Sequence, residues 1–320
     1  MNHSKREERI GLSKVNKWGD TMKIIEYNSA QDIVVEFQDT WKETKRCAWK
    51  EFKTGNIINP RIYKQRVGST NINKQGCTMK VVDYIDNRNV VIEFQDDYRE
   101  RVKCTWNNFE NGRVKNHYAP YVCGVGMEGV KYPVTINGQK TKEYTSWSTM
   151  ITRCYTKTFH NGENHYRRYE NVEVCDEWFL YENYYKWLHR QENFDKWILL
   201  DNGVVDKDIL IKGNKVYSPD TCCLVPENVN ALFLKADRIR GKYPIGVTYK
   251  TRDKAFEVQC NINGKETYLG RCNTPEQGFL IYKEHKESYI KQVAQEEYAK
   301  GNITKRCYDA MMNYQVEITD

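Results

Sequence analysis

The chain has 320 residues, enough for two or more compact units, and its 50 Lys and Arg against 43 Asp and Glu leave a net charge of +7. That excess makes nucleic acid the first partner to test, and no apolar run approaches the roughly 18 residues that cross a bilayer. The 11 cysteines stand singly apart from Cys222-Cys223, with no CxxC pair and no apolar leader after Met1, a usage that suits a reduced, cytoplasmic protein without structural zinc.

A duplication follows the polar opening. Residues 11–59 recur at 68–116 with a constant offset of 57 and no gap. Gly11, Asn16, Met22, Tyr27, Phe37, Asp39, Cys47, Trp49, Phe52, Gly55 and Asn59 match Gly68, Asn73, Met79, Tyr84, Phe94, Asp96, Cys104, Trp106, Phe109, Gly112 and Asn116. Met22–Tyr27 and Ile33–Phe37 read as strands joined by a polar turn, as do Met79–Tyr84 and Val90–Phe94. Cys47-x-Trp49-x-x-Phe52-x-x-Gly55 and its copy then suggest a further strand and a tight turn. Each copy is expected to be a small curled β-barrel or sheet of SH3-like size, over 1–66 and 67–124. Trp49 and Trp106 read as core anchors, with ligand stacking the alternative. Lys14, Lys17, Lys23, Lys74 and Lys80 could follow phosphates, although a solvated face is the commoner meaning. Two copies on one chain multiply weak contacts through effective concentration, and they reduce the need for a dimer, so a monomer is expected.

From about Ser146 the pattern becomes helical. Trp147, Met150, Ile151, Cys154 and Tyr155 share one helix face, and a polar loop with His160, His165, Arg167 and Arg168 follows. Val172–Cys175 reads as a strand, and Asp176 as the N-cap of a helix burying Trp178, Tyr181, Tyr185 and Leu188. The segment from Leu199 to Asn230 reads as a β-hairpin followed by a helix starting near Pro226. Ile245–Lys250, Ala255–Ile262 and Glu266–Arg271 are then three alternating strands. Thr274-Pro275-Glu276-Gln277 opens a helix burying Phe279, Tyr282, Tyr289 and Val293. The tail ends in the strand-like Gln315-Val316-Glu317-Ile318.

Two stretches resemble known families. Residues 239–300, through Arg240-Gly241-x-x-x-x-Gly246-Val247, Tyr268-Leu269-Gly270 and Thr274-Pro275-Glu276-Gln277, resemble the AP2 DNA-binding domain, a three-stranded sheet on one helix. The resemblance implies a sheet lying in the major groove, read by outward Tyr249, Lys250, Arg252, Gln259, Asn261 and Arg271, with Phe256, Val258, Cys260 and Ile262 facing the helix. Arg suits guanine edges, and Gln or Asn suits adenine edges. Residues 125–238, through Trp147-x-x-Met150-x-x-Arg153-Cys154-Tyr155 and Val172-x-Val174-Cys175-x-Glu177-Trp178, resemble the HNH endonucleases found beside AP2 domains in phage proteins, including homing endonucleases. By position, Asp206 matches the acidic metal ligand, Asn214 the loop asparagine and Asn230 the helix ligand. Asp206 and Asn230 would hold Mg2+ or Mn2+. The position of the general-base histidine, however, is Lys207, and a protonated lysine cannot accept a proton unless strongly desolvated.

The expected architecture is therefore α+β and multidomain: two β-repeats, an HNH-like ββα unit, an AP2-like unit and a tail at 301–320. The expected function is phage double-stranded DNA binding of the homing-endonuclease type, with cleavage weak or lost at Lys207. A protein-directed module acting on a host nuclease or defence complex is the alternative, because Glu36, Asp39, Glu93, Asp96 and Asp97 stand where a DNA clamp would prefer lysine. Single-stranded RNA is a third possibility.

Overall fold

In the computed structural model, which describes residues 7–156, 171–234 and 241–318, the period-two pattern of the first repeat folds as an antiparallel meander. Strands β1 (Ser13–Val15), β2 (Thr21–Ser29), β3 (Asp32–Phe37) and β4 (Thr44–Cys47) pair in that order. Met22, Ile24, Ile33, Val35 and Phe37 point to one face and are wholly buried, whereas Lys23 pairs with Glu36 on the other. The second repeat copies this with β5 (Thr70–Ile72), β6 (Thr78–Asp86), β7 (Asn89–Phe94) and β8 (Arg101–Cys104). Neither sheet closes into the barrel that the SH3-like size suggested. Edge strands of three and four residues are too short to wrap round and pair with each other.

The strand expected at Trp49 is instead a helix, α1 (Trp49–Thr54), ended by Gly55 at φ +69°. Trp49 and Phe52 lie three residues apart, so one helical turn puts both rings on the sheet, stacked 5.6 Å apart. The inter-repeat helix α2 (Arg61–Arg66) precedes the second repeat, in which α3 (Trp106–Glu110) takes the place of α1. Gly112 follows α3 at φ +60°, where a Cβ would meet the Ile72 carbonyl at 2.7 Å. Helix α2 holds both copies. Lys64 lies 2.6 Å from Glu43 of the first, while Tyr63 packs 5.3 Å from Tyr84 of the second.

Residues 1–119 and 120–320 form two separate units. The second opens with the hairpin β9 (Thr135–Ile136) and β10 (Gln139–Lys140) and the helix α4 (Lys142–Tyr155). β11 (Glu173–Val174) precedes a 3-10 turn at Asp176–Phe179 and helices α5 (Tyr181–Leu188) and α6 (Phe194–Leu199). Asp176 thus opens a 3-10 turn and caps no α-helix. Trp147, Trp178, Tyr181, Tyr184 and Trp197 are fully buried together, and the Trp147 indole donates to the Trp178 carbonyl at 2.7 Å. β12 (Gly203–Asp206) pairs with β14 (Cys223–Pro226), and α7 (Glu227–Ala231) follows at once; β13 (Val216–Tyr217) pairs with β11.

β15 (Val247–Lys250), β16 (Ala255–Ile262) and β17 (Lys265–Cys272) form the three-stranded sheet that carries helix α8 (Pro275–Ala299). At 25 residues α8 is about 37 Å long, and its two halves serve different cores. Tyr282 packs on Val258 and Cys260 of the sheet, whereas Ile290, Val293 and Ala294 pack on Ile209, Cys223, Val225 and Val229 of the ββα segment. The last segment is no loose tail. Helix α9 (Lys305–Met312) buries Cys307 and Met311 in that second core. No strand forms at 315–318, because Lys283 binds the Val316 carbonyl and Glu287 the Val316 amide as single ties to α8. Among the described residues the fold is mixed α+β with small, mostly antiparallel sheets, and no helix is long and apolar enough to cross a membrane.

Candidate functional site

The ββα segment brings Asp206, Lys207 and Asn214 together. Asp206 ends β12 opposite Cys223, and its Oδ1 accepts from the Asp208 and Ile209 amides at 2.8 Å each. The carboxyl is nearly buried, and this desolvation, with the Asp208 charge beside it, raises its pKa to about 6. Lys207 extends to Asp208 Oδ2 at 3.1 Å and lies 5.7 Å over the Tyr217 ring. Asn214 donates to the Lys207 and Val216 carbonyls at 2.7 Å each, closing the loop between β12 and β13. Asn230 stands half-buried on α7, and its side chain makes no hydrogen bond to Asp206. His160, His165, Arg167 and Arg168 lie outside the described residues, as does Arg240.

These groups suit a fixed loop better than a divalent cation. A magnesium or manganese ion wants several oxygen ligands, anionic ones among them. Here one Asp206 oxygen is spent on two backbone amides, and the nearby Asp208 carboxylate is neutralised by Lys207. No three His, Cys, Asp or Glu side chains converge as a metal cage among the described residues. The neighbouring thiols do not help, since burial raises Cys154 to about 11 and Cys222 to about 12, and metals bind thiolates. Asp206 therefore anchors its own loop and not a divalent cation.

The sheet face carries most of the expected base-reading residues, with one correction. Lys250, Gln259, Asn261 and Arg271 lie on the face away from α8, whereas Tyr249 pairs with Phe256 on the helix side, its ring 5.0 Å away. Arg252 sits in the β15–β16 turn, bonded to Asp253 at 3.0 Å. Arg271 is already engaged, 2.9 Å from Glu257 and 3.0 Å from Asp253, while Lys250 lies 3.5 Å from the same Glu257. Arg271 and then Lys250 hold the Glu257 carboxyl below its ordinary value. The outer face is thus a charge-balanced network and offers no free basic strip.

Basic excess lies elsewhere. Residues 1–119 hold 22 Lys and Arg against 16 Asp and Glu, whereas residues 120–320 hold 28 against 27, so the units carry +6 and +1. In the repeats, Trp49 and Trp106 are half-buried under arginines: Arg9 stands 4.5 Å over Trp49, and Arg66 stands 4.1 Å over Trp106. Both arginines also donate to a repeat tyrosine, Tyr27 or Tyr84. Arg9 and Arg66 obey the same offset of 57, so the duplication extends two residues upstream of Gly11 and Gly68. Sequence reading also passed over Asp208 and Tyr217, which complete the surroundings of Asp206 and Lys207; the Asp206-x-Asp208 spacing was the available clue. Compared with protein families, characterised proteins and solved structures, the chain matches none.

Proposed function

We propose that the protein binds double-stranded DNA through its AP2-like sheet and that its HNH-like segment serves as a scaffold in which cleavage is weak or lost. The observation that carries the reading is the outward row Lys250, Gln259, Asn261 and Arg271 on a three-stranded sheet braced by a long helix. Exposed ion pairs are worth only about 0–1 kcal/mol, so phosphates or guanine edges can take Arg271 from Glu257 at small cost. Helix α8, shared by both cores, fixes the sheet relative to the ββα segment, so the two would meet one duplex at a set offset.

Loss of cleavage rests on Lys207. Its ammonium is directed to Asp208, where a water-activating base would stand, and an ammonium donates hydrogen bonds but accepts none. A nicking assay on supercoiled plasmid with Mg2+, Mn2+ or EDTA tests this reading, and retained DNA without nicking is the expected result. Lys207→His alone should not create metal-dependent nicking, because Asp206 stays engaged by the Asp208 and Ile209 amides. Wild-type nicking at rates typical of nucleases would overturn the scaffold reading.

One observation favours a second reading. The balanced charges of Arg271, Lys250, Glu257 and Asp253 also suit a protein surface, and the chain would then act on a host nuclease or defence complex. A host protein co-purifying after nuclease treatment, together with no duplex binding, would select this reading.

A further inference from the structure

The repeats contain a duplicated surface feature that duplex reading leaves unused. In both copies the turn between the third and fourth strands is wired in the same way. Asp39 Oδ1 accepts from the Trp41 and Lys42 amides at 3.0 and 2.9 Å, and Asp96 Oδ1 accepts from the Tyr98 and Arg99 amides at 3.0 Å each. The second oxygen of each aspartate accepts from a buried asparagine, Asn59 at 3.0 Å and Asn116 at 2.6 Å. Lys42 and Arg99 both take the left-handed backbone, at φ +49° and +50°, which long side chains seldom adopt.

The result in each copy is an aromatic ring held out to solvent. Trp41 is 64% exposed and Tyr98 46% exposed, and they occupy equivalent positions. One side of each ring rests on the residue two places after the asparagine. Arg61 lies 5.1 Å from the Trp41 ring, and Tyr118 stacks 4.3 Å from Tyr98 with 12° between the planes. Neither core needs these rings, since Phe37 and Phe94 already fill them without exposure. Trp49 and Trp106 are unsuited to a ligand because Arg9 and Arg66 cover them.

The unit's net charge of +6 favours a polyanion, and Arg61 lies against the Trp41 ring itself. Residues 52–82 contain Lys53, Arg61, Lys64, Arg66, Lys74 and Lys80 and no Asp or Glu. Most acids near the rings are engaged, Asp39 by Asn59 and Arg61, Glu43 by Lys64, Glu93 by Arg101 and Glu100 by His117, whereas Asp97 stands exposed beside Tyr98. A stacking ring beside backbone-tracking cations is the recurring chemistry of unpaired nucleotides.

We propose that Trp41 and Tyr98 are paired stacking platforms for unpaired bases, so that the repeats bind single-stranded nucleic acid at a site separate from the sheet. The proposal stands whether or not the sheet reads duplex DNA. The probe is labelled oligo-dT of about 20 nucleotides, longer than the roughly 4–16 that one small module covers, titrated with the full chain. Stacking worth about 1–3 kcal/mol per base predicts that Trp41→Ala with Tyr98→Ala weakens binding roughly 30-fold or more. Trp41→Phe with Tyr98→Phe should keep most of the affinity, which separates loss of stacking from loss of fold. Arg271→Ala should leave oligo-dT binding unchanged. Wild-type affinity in the double alanine variant, failure of the wild-type chain to bind oligo-dT, or binding of a proline-rich peptide at these rings instead would each overturn the proposal.

Discussion

The two units of the chain divide charge and scaffold unequally. Residues 120–320 hold the segments that resemble DNA readers, a large aromatic core and a net charge of only +1. Residues 1–119 hold two small open sheets, exposed aromatic rings and a charge of +6. On the proposed reading the base-selecting surface lies in the second unit, while most of the net positive charge lies in the first. Net charge governs encounter and non-specific affinity, whereas the side chains of a defined face govern selection. A chain that separates the two can hold nucleic acid with one unit and select with the other.

The largest test of this division is structural. Trp147→Ala empties the fully buried site under Trp178 and Tyr181, and should cost the second unit about 3–5 kcal/mol. Calorimetry should then show one transition lowered and that of the repeats unmoved. A joint shift would mean that the units melt together. Within the repeats, Gly112→Ala should cost about 2–3 kcal/mol and Gly55→Ala less, since both glycines have positive φ but only at Gly112 does a Cβ approach a carbonyl within 2.7 Å; the nearest approach at Gly55 is 3.4 Å. Equal losses in urea titrations would contradict that difference between the copies.

A test of intermediate size concerns Asp206. Its pKa is raised in the folded protein, so its contribution to stability is fully present below about pH 4 and lost as pH rises through about 6. Asp206→Asn keeps an acceptor oxygen for the Asp208 and Ile209 amides and never ionises. It should stabilise the second unit by on the order of 2 kcal/mol at pH 8 and by nothing below pH 4. Destabilisation by this substitution at pH 8 would show that an ionised Asp206 is required, as a cation site would need. The smallest effect is expected at Glu257→Gln, which frees Lys250, leaves Arg271 with Asp253 alone and should raise duplex affinity about two- to five-fold at low salt. Unchanged affinity would remove the outer sheet face from the duplex site.

Much of the fold was legible where burial follows a simple period. The strands from Met22 to Phe37 and from Ala255 to Ile262 alternate cleanly, and the Trp147 helix shows its face at i, i+3, i+4 and i+7. Short elements were not legible. Trp49 and Phe52 fit a strand end as well as a single helical turn, and only the sheet beneath them decides. Ile303, Cys307 and Met311 do repeat every four residues, yet the stretch reads as a tail until the core that receives it is known. Of the site, Asp206, Lys207 and Asn214 were located by resemblance and do lie together. The partners of Arg271 depend on strand register, which no local pattern reveals, whereas the face of Tyr249 follows from its place two residues after buried Val247. The exposed pair Trp41 and Tyr98 was visible as an aligned position in the two copies, but solvent exposure is a property of the folded turn.

Duplex binding by the full chain, followed across a salt series with Mg2+, Mn2+ or EDTA, tests the central claim most directly. The account predicts binding that weakens roughly 10³- to 10⁵-fold between about 50 and 200 mM salt if some 6 to 10 phosphates are neutralised, with no metal-dependent nicking. Absence of duplex binding at low salt, or efficient nicking by the wild-type chain, would contradict it.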